Sequence, residues 1–140
     1  MNLLFIDQVS DEGMQKTLSK RGGRTIYLQL LHVHNVRLGW MENAAKDIFK
    51  KSTLLDKDKP YNKKLLRDSF LSSSAAIEEF INDSWDRGGR VTGFKKGLIP
   101  FISYLIAHEA HHRGHAMLTL KQSGTELPEL LKWGLWEWDK

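Results

Sequence analysis

The 140-residue chain contains no cysteine. It therefore has no disulfide bonds, no thiolate metal ligands and no protein thiol nucleophile. It also lacks an apolar run of about 18 residues, the length that a membrane-spanning helix needs. The N-terminal residues have neither the basic region nor the sustained apolar region of a signal peptide. We expect a cytoplasmic protein.

The chain also lacks a large excess of one charge, since 21 basic and 17 acidic residues leave a net charge of +4. This small, scattered excess does not predict a nucleic-acid interface, although it suits anionic small substrates. Arg-Gly-Gly-Arg occurs at 21–24 and again at 87–90. We interpret both copies as flexible loops between helices, because nucleic-acid-binding segments of this type come in long arrays.

No segment shows a convincing strand pattern, whereas helical periodicity is clear. We predict a single all-α domain over residues 1–140. Thr25, Asn62 and Gly124 mark helix boundaries, and Pro100 suits the first turn of a helix. The long helices are predicted at 25–51, 62–84 and 100–122. Outside them we expect a short apolar piece at 1–12, a loop at 10–24, and a tail at 127–140, with Trp133, Trp136 and Trp138, that forms one short helix or an extended wrap.

Four of the six histidines lie between residues 108 and 115, on the third long helix. At about 100° per residue, their imidazoles fall within an arc of roughly 100°, which is typical of a metal site. His108 and His112 overlap the apolar stripe and have the i, i+4 spacing that brings two imidazoles to one metal. His111 and His115 lie toward the rim, beside Tyr104.

A third ligand must come from another helix. His32 and His34, on the first long helix, point about 200° apart, so that only one of them can face the site. Helical geometry does not decide between them, because both faces of this helix are apolar.

The run from His108 to His112 also has the His-Glu-x-x-His spacing of zinc proteases, in which Glu109 would be the general base for a zinc-bound water. His115 stands where one large class of these proteases has glycine, and no sheet edge is predicted to hold an extended peptide. A metal-dependent hydrolase is therefore a secondary alternative.

Three segments resemble the DinB family of DinB/YfiT-like metalloenzymes. Residues 30–40 resemble its second helix, with His32 followed by Trp40 eight positions later. Residues 93–114 resemble its last long helix, and 134–138 resemble a tail seen in the family. The most specific part is His-Glu-Ala-His-His-Arg-Gly at 108–114.

The resemblance implies a four-helix bundle of the DinB/YfiT type and a divalent metal, zinc or nickel, held by three histidines. Carried over position by position, the ligands are His32, His108 and His112. The family usually has glutamine where this chain has His115, so a fourth imidazole could join the site or alter it. The N-terminal helix, at 1–12, is shorter than in the family. The tail, a partner chain or preceding residues would complete the bundle, and we expect a homodimer, because a missing helix would expose apolar faces.

Relatives in this family include thiol-dependent S-transferases and isomerases. The resemblance thus implies a metal-dependent enzyme in which a low-molecular-weight thiol attacks a small electrophile. We expect Glu109 or Tyr104 to assist, and Arg37 and Arg113 to bind a carboxylate of a substrate or cofactor. The alternative from another class is a non-enzymatic, metal-binding stress-response bundle.

Overall fold

A computed structural model describes residues 1–137 of the chain, and this part is all-helical. Its only bridge between extended residues, Val91 with Phe94, is isolated. The prediction of an all-α fold is confirmed. No helix in the described range is long and apolar enough to cross a membrane. The helices are α1 (Asn2–Gln8), α2 (Asp11–Met14), α3 (Ile26–Ala44), α4 (Lys46–Phe49), α5 (Lys63–Asp86), α6 (Leu98–Gln122) and α7 (Glu129–Gly134).

Side-chain caps fix the starts of two long helices. The Thr25 hydroxyl accepts a hydrogen bond from the backbone N–H of Leu28, and the Asn62 side chain accepts one from Leu65. Such caps satisfy N–H groups that have no partner within the helix. Gly124 follows α6 with a φ of +74°, the left-handed conformation common just after a helix end. These three predicted boundaries are confirmed.

One predicted helix end is wrong. The first long helix ends at Ala44 and not near Lys51, because Ala45 is non-helical, with φ −153° and ψ 67°. The short helix α4 then follows as a separate element. Helix α5 ends at Asp86, close to the predicted end near Ser84, and Arg87 of the second Arg-Gly-Gly-Arg loop follows as its C-cap.

The N-terminal region is more ordered than the predicted 1–12 piece and 10–24 loop. Helix α1 ends at Gln8, and α2 begins after Ser10, whose hydroxyl accepts a hydrogen bond from the N–H of Gly13. Met14, at the end of α2, is fully buried. The polar composition of 10–24 therefore concealed one helical turn, of which Gly13 and Met14 are buried.

Helix α1 occupies the place of the fourth bundle helix, packing against α5 and α7. Helix α7 lies within the predicted tail, where Trp133 and Trp136 are exposed, whereas Trp138 lies outside the described residues. The N-terminal region and the tail contribute six residues to one buried core cluster: Phe5, Ile6, Val9, Met14, Leu127 and Leu131. Segments of the same chain therefore complete this core cluster, which we had expected a helix of a partner to help complete.

A buried polar layer separates this core cluster from a second one. The second cluster lies around Phe80 and Phe101. The layer consists of Arg37 on α3, Ser73 on α5 and Glu109 on α6. Along each of these helices, the polar residue lies between residues of the first cluster and residues of the second. Buried polar groups are tolerated when they bond to each other, as these do.

Candidate metal centre

Helices α3 and α6 bring three histidines to one point. Each of His32, His108 and His112 offers a ring nitrogen within 4.8 Å of the nitrogens of the other two. The ring centroids lie 4.7 Å apart for His108 and His112, and 5.1 and 5.4 Å from His32 to His112 and His108. These are the three histidines that the resemblance predicted, and we call them the histidine triad.

His34 lies on the other side of α3. Its side chain is 0% exposed, its Nε2 lies 3.0 Å from the carbonyl oxygen of Thr53, and its ring packs 6.1 Å from that of Phe70. The choice between His32 and His34, which helical geometry left open, thus falls on His32.

The triad is kept neutral. Burial lowers the pKa of all three imidazoles, and nearby positive charge adds to the effect at His32 and His112. For His112 the pKa falls to about 4, because His108 and His32 reinforce the effect of burial. Neutral imidazole is the form that binds metals, so no proton has to leave these rings near pH 7.

The donor set fits zinc or nickel, since imidazole nitrogen suits both. Among residues 1–137, Nδ1 of His112 is buried without a hydrogen-bond partner. A buried nitrogen without a hydrogen-bond partner destabilises the fold unless a bound ligand interacts with it. Three neutral ligands without a fourth protein ligand are typical of catalytic sites, whereas structural zinc sites are closed by four.

The two remaining histidines of the run lie at the rim, as predicted. His111 is exposed, with its ring 5.1 Å from that of His112. His115 is also exposed, and its Nδ1 lies 2.9 Å from Oε1 of Gln29. Neither belongs to the group of converging nitrogens.

Glu109 is not part of the converging group either. Its Oε1 accepts a hydrogen bond from Nε of Arg37 at 2.6 Å, and its Oε2 accepts one from Nη2 of the same side chain at 2.9 Å. Asn2 also donates to Oε2. Burial alone would raise the pKa of this carboxyl, but Arg37, with help from Asn2 and Arg113, holds it below its usual value. A strongly ion-paired carboxylate is poorly suited to be the base of a hydrolase.

We expected Arg37 and Arg113 to bind a carboxylate of a substrate or cofactor, but both lie beside the carboxylate of Glu109. Arg37 pairs with Glu109, donates to the hydroxyls of Ser73 and Ser74, and lies over the ring of Phe70. Arg113 lies 3.8 Å from Glu109. The structure does not bring either guanidinium to the triad.

Tyr104 adjoins the triad. Its ring stacks on that of His108, with centroids 5.9 Å apart and 25° between the planes. Tyr104 also lines a pocket of about 520 Å³ that extends along α3 past Trp40. We call it the apolar pocket.

A second pocket, of about 550 Å³, includes His112 itself, and most of the residues that line it have polar side chains. We call it the polar pocket; its lining includes Ser19, Arg24, Gln29 and His115. After burial, the charge of Arg24 is the next cause of the lowered pKa of His32. Sequence reasoning missed Arg24, although it directly precedes the Thr25 cap and therefore lies just outside the N-terminus of the helix that carries His32.

The structure and a comparison with known families agree. The sequence model of the DinB family matches residues 2–136. No curated protein and no solved structure matches the chain. With nearly its whole length matched, the chain belongs to the DinB family.

Proposed function

We propose that this protein is a metal-dependent transferase that joins a low-molecular-weight thiol to a small electrophile. Zinc or nickel would be held by His32, His108 and His112. The observation that carries the proposal is that the triad adjoins two pockets of different chemistry: His112 lines one of them, and Tyr104, whose ring stacks on His108, lines the other.

Three contacts between antiparallel helices place these pockets. Gln29 of α3 meets His115 of α6 at the polar pocket. One turn further along α3, His32 meets His108. Two turns beyond that, Trp40 meets Tyr104 at the apolar pocket, with ring centroids 5.7 Å apart. Ligands bound in the two pockets would therefore lie on either side of the triad along α3, as a two-substrate transfer requires.

When bound, the divalent metal supplies a Lewis acid that makes a coordinated thiol more acidic. The transfer forms one carbon–sulfur bond, breaks the bond to the leaving group and releases the thiol proton. Because the chain has no cysteine, the sulfur must arrive with the small thiol. The neutral triad leaves the protein's own imidazoles ready to bind metal without prior deprotonation.

Arg24 replaces Arg37 and Arg113 as our candidate for binding an anionic group. It lines the polar pocket together with His112, whereas the other two pair with Glu109. Most small biological thiols carry carboxylates, which a guanidinium binds well. We further propose that Tyr104, beside His108, assists at the electrophile.

The test is conjugation of 1-chloro-2,4-dinitrobenzene to cysteine or glutathione by protein reconstituted with zinc or nickel. We expect turnover that needs both metal and thiol, lost in His112→Ala and retained in His111→Ala, which removes an adjacent exposed imidazole. Bound metal without thiol-dependent turnover would contradict the transferase and favour the non-enzymatic bundle. Failure to take up metal would contradict every enzyme proposal made here.

We also propose a homodimer and a cytoplasmic location, where small thiols stay reduced. The proposal of a homodimer now rests on two exposed tryptophans and not on a missing helix. Trp133, in α7, and Trp136, two residues after its end, are 66% and 76% exposed. Light scattering during size-exclusion chromatography tests it, and a monomer at all concentrations would contradict it.

A further inference from the structure

We infer that the apolar pocket binds an uncharged aromatic group, and that Gly39 keeps this pocket open. The inference rests on the proposed function in one respect, namely that the bound molecule is the electrophilic substrate. The binding site itself is argued from the pocket.

Aromatic rings form rigid walls of the apolar pocket. Trp40 makes edge-to-face contacts with Phe94, Phe101 and Tyr104, with centroids 5.5 to 5.7 Å apart. Gly93 approaches the same indole, since a Cβ added there would lie 3.9 Å from it. A ring held from several sides presents a fixed flat surface, and flat aromatic ligands pack well on such surfaces.

The lining of the apolar pocket carries no charged side chain. Its polar groups are the neutral side chains of Asn35, Asn43, Thr92 and Tyr104. A carboxylate placed there would lose hydration without gaining a cation, which is strongly unfavourable. This is the opposite of the polar pocket, where Arg24 supplies a positive charge. The volume of about 520 Å³ lies in the range of small-molecule sites.

Gly39 lies in the interior of α3 and lines the apolar pocket. Glycine disfavours a helix interior, and packing does not require it here, because an added Cβ would meet nothing within 4 Å. A larger side chain at this position would project into the pocket without displacing a neighbour. Gly114 of α6 has the same free space but does not line the apolar pocket, so it provides a matched control.

The test is titration calorimetry of the metal-reconstituted protein with two probes of similar shape. One probe is 4-nitrobenzyl alcohol, which is neutral, and the other is 4-nitrobenzoate, which is anionic. The proteins are the wild type, Gly39→Leu and Gly114→Leu, each checked for metal content. We expect the alcohol to bind the wild type and Gly114→Leu equally, and Gly39→Leu at least about tenfold more weakly. We expect any binding of the benzoate to be the same in the wild type and Gly39→Leu, because its carboxylate is excluded from the apolar pocket and would bind instead at Arg24 or at the metal.

Three results would overturn the inference: undiminished binding of the alcohol by Gly39→Leu, binding of the benzoate that Gly39→Leu weakens as much as that of the alcohol, or no saturable binding of the alcohol at all. These outcomes are separate from those of the proposed function. Thiol transfer that Gly39→Leu retains in full contradicts the inference alone. Selective binding of the alcohol without any thiol transfer contradicts the transferase alone.

Discussion

Arg37 and Glu109 form a two-pronged ion pair across the bundle, although 72 positions separate them in the sequence. Their side chains are 10% and 14% exposed. Ser73 and Asn2 complete the hydrogen bonding, so that the pair connects α3 and α6 with α5 and α1. The glutamate of the protease-like motif thus belongs to the polar layer of the core and not to the group of converging nitrogens.

Loss of Glu109 should destabilise the fold while sparing the metal site. We expect Glu109→Ala to lower the free energy of unfolding by about 3–5 kcal/mol, because Arg37 is left buried without its partner. The double variant Arg37→Met/Glu109→Leu should lose less than Glu109→Ala alone, since it leaves no unpaired charge. Urea denaturation checks both.

Metal content provides the control for this experiment. We expect folded Glu109→Ala to retain the metal stoichiometry of the wild type. Loss of metal with unchanged stability would instead place Glu109 at the metal and contradict the structural role.

The local signals in the sequence were sufficient for much of the fold. A capping hydroxyl or amide, at Thr25 and Asn62, acts within three residues, and Gly124 ends its helix through its own backbone conformation. The i, i+4 spacing likewise fixes His108 and His112 on one face of α6. Such features depend on short-range geometry, which a sequence displays directly.

Features that depend on distant packing were not predictable. Helix α3 packs against both α5 and α6, so apolar residues surround it and its periodicity does not separate His32 from His34. The resemblance, not the pattern, chose His32. The partner of Glu109 was equally hidden, since nothing near Glu109 in the sequence points to Arg37.

The two Arg-Gly-Gly-Arg repeats lie between helices, as predicted, and each lies at or near one of the two pockets. Residues 22–24 of the first repeat line the polar pocket. An added Cβ at Gly23 would lie only 2.2 Å from that of Ser19, so glycine lets this loop fold back. The second repeat ends α5 and leads directly into Thr92 and Gly93, which line the apolar pocket.

Arg24 should select for anionic thiols. We expect Arg24→Gln to raise the KM for glutathione about three- to tenfold and to leave the KM for 2-mercaptoethanol unchanged, because only the first has carboxylates for the guanidinium to bind. Arg21→Gln changes the same charge in the same loop, at a residue outside the polar pocket. Steady-state kinetics with both thiols checks this, and equal effects of the two substitutions would contradict a specific role of Arg24.

His34 should make the fold sensitive to acid. Burial lowers its pKa below the ordinary value of 6.5, although the hydrogen bond to Thr53 partly opposes this. As pH falls through 6.5 toward the folded-state pKa, the unfolded chain binds this proton and the folded chain does not. The free energy of unfolding therefore decreases in that interval, by up to about 1.4 kcal/mol per pH unit for one group.

The variant His34→Gln isolates this contribution, because the triad histidines remain in both proteins and their effects cancel. We expect the wild type to lose more stability than the variant between pH 7 and pH 5, as measured by urea denaturation at each pH. Parallel pH profiles would show that His34 does not carry the effect.

The most direct test of the central claim is metal binding by the triad, measured as metal per chain after reconstitution with zinc and dialysis. We expect one zinc per chain in the wild type, in His111→Ala and in His34→Gln, and strongly reduced zinc in His32→Ala, His108→Ala and His112→Ala. X-ray absorption of the wild type should show imidazole nitrogen at about 2.0 Å from the metal. Equal zinc content in His112→Ala and His111→Ala, with both proteins folded, would contradict it.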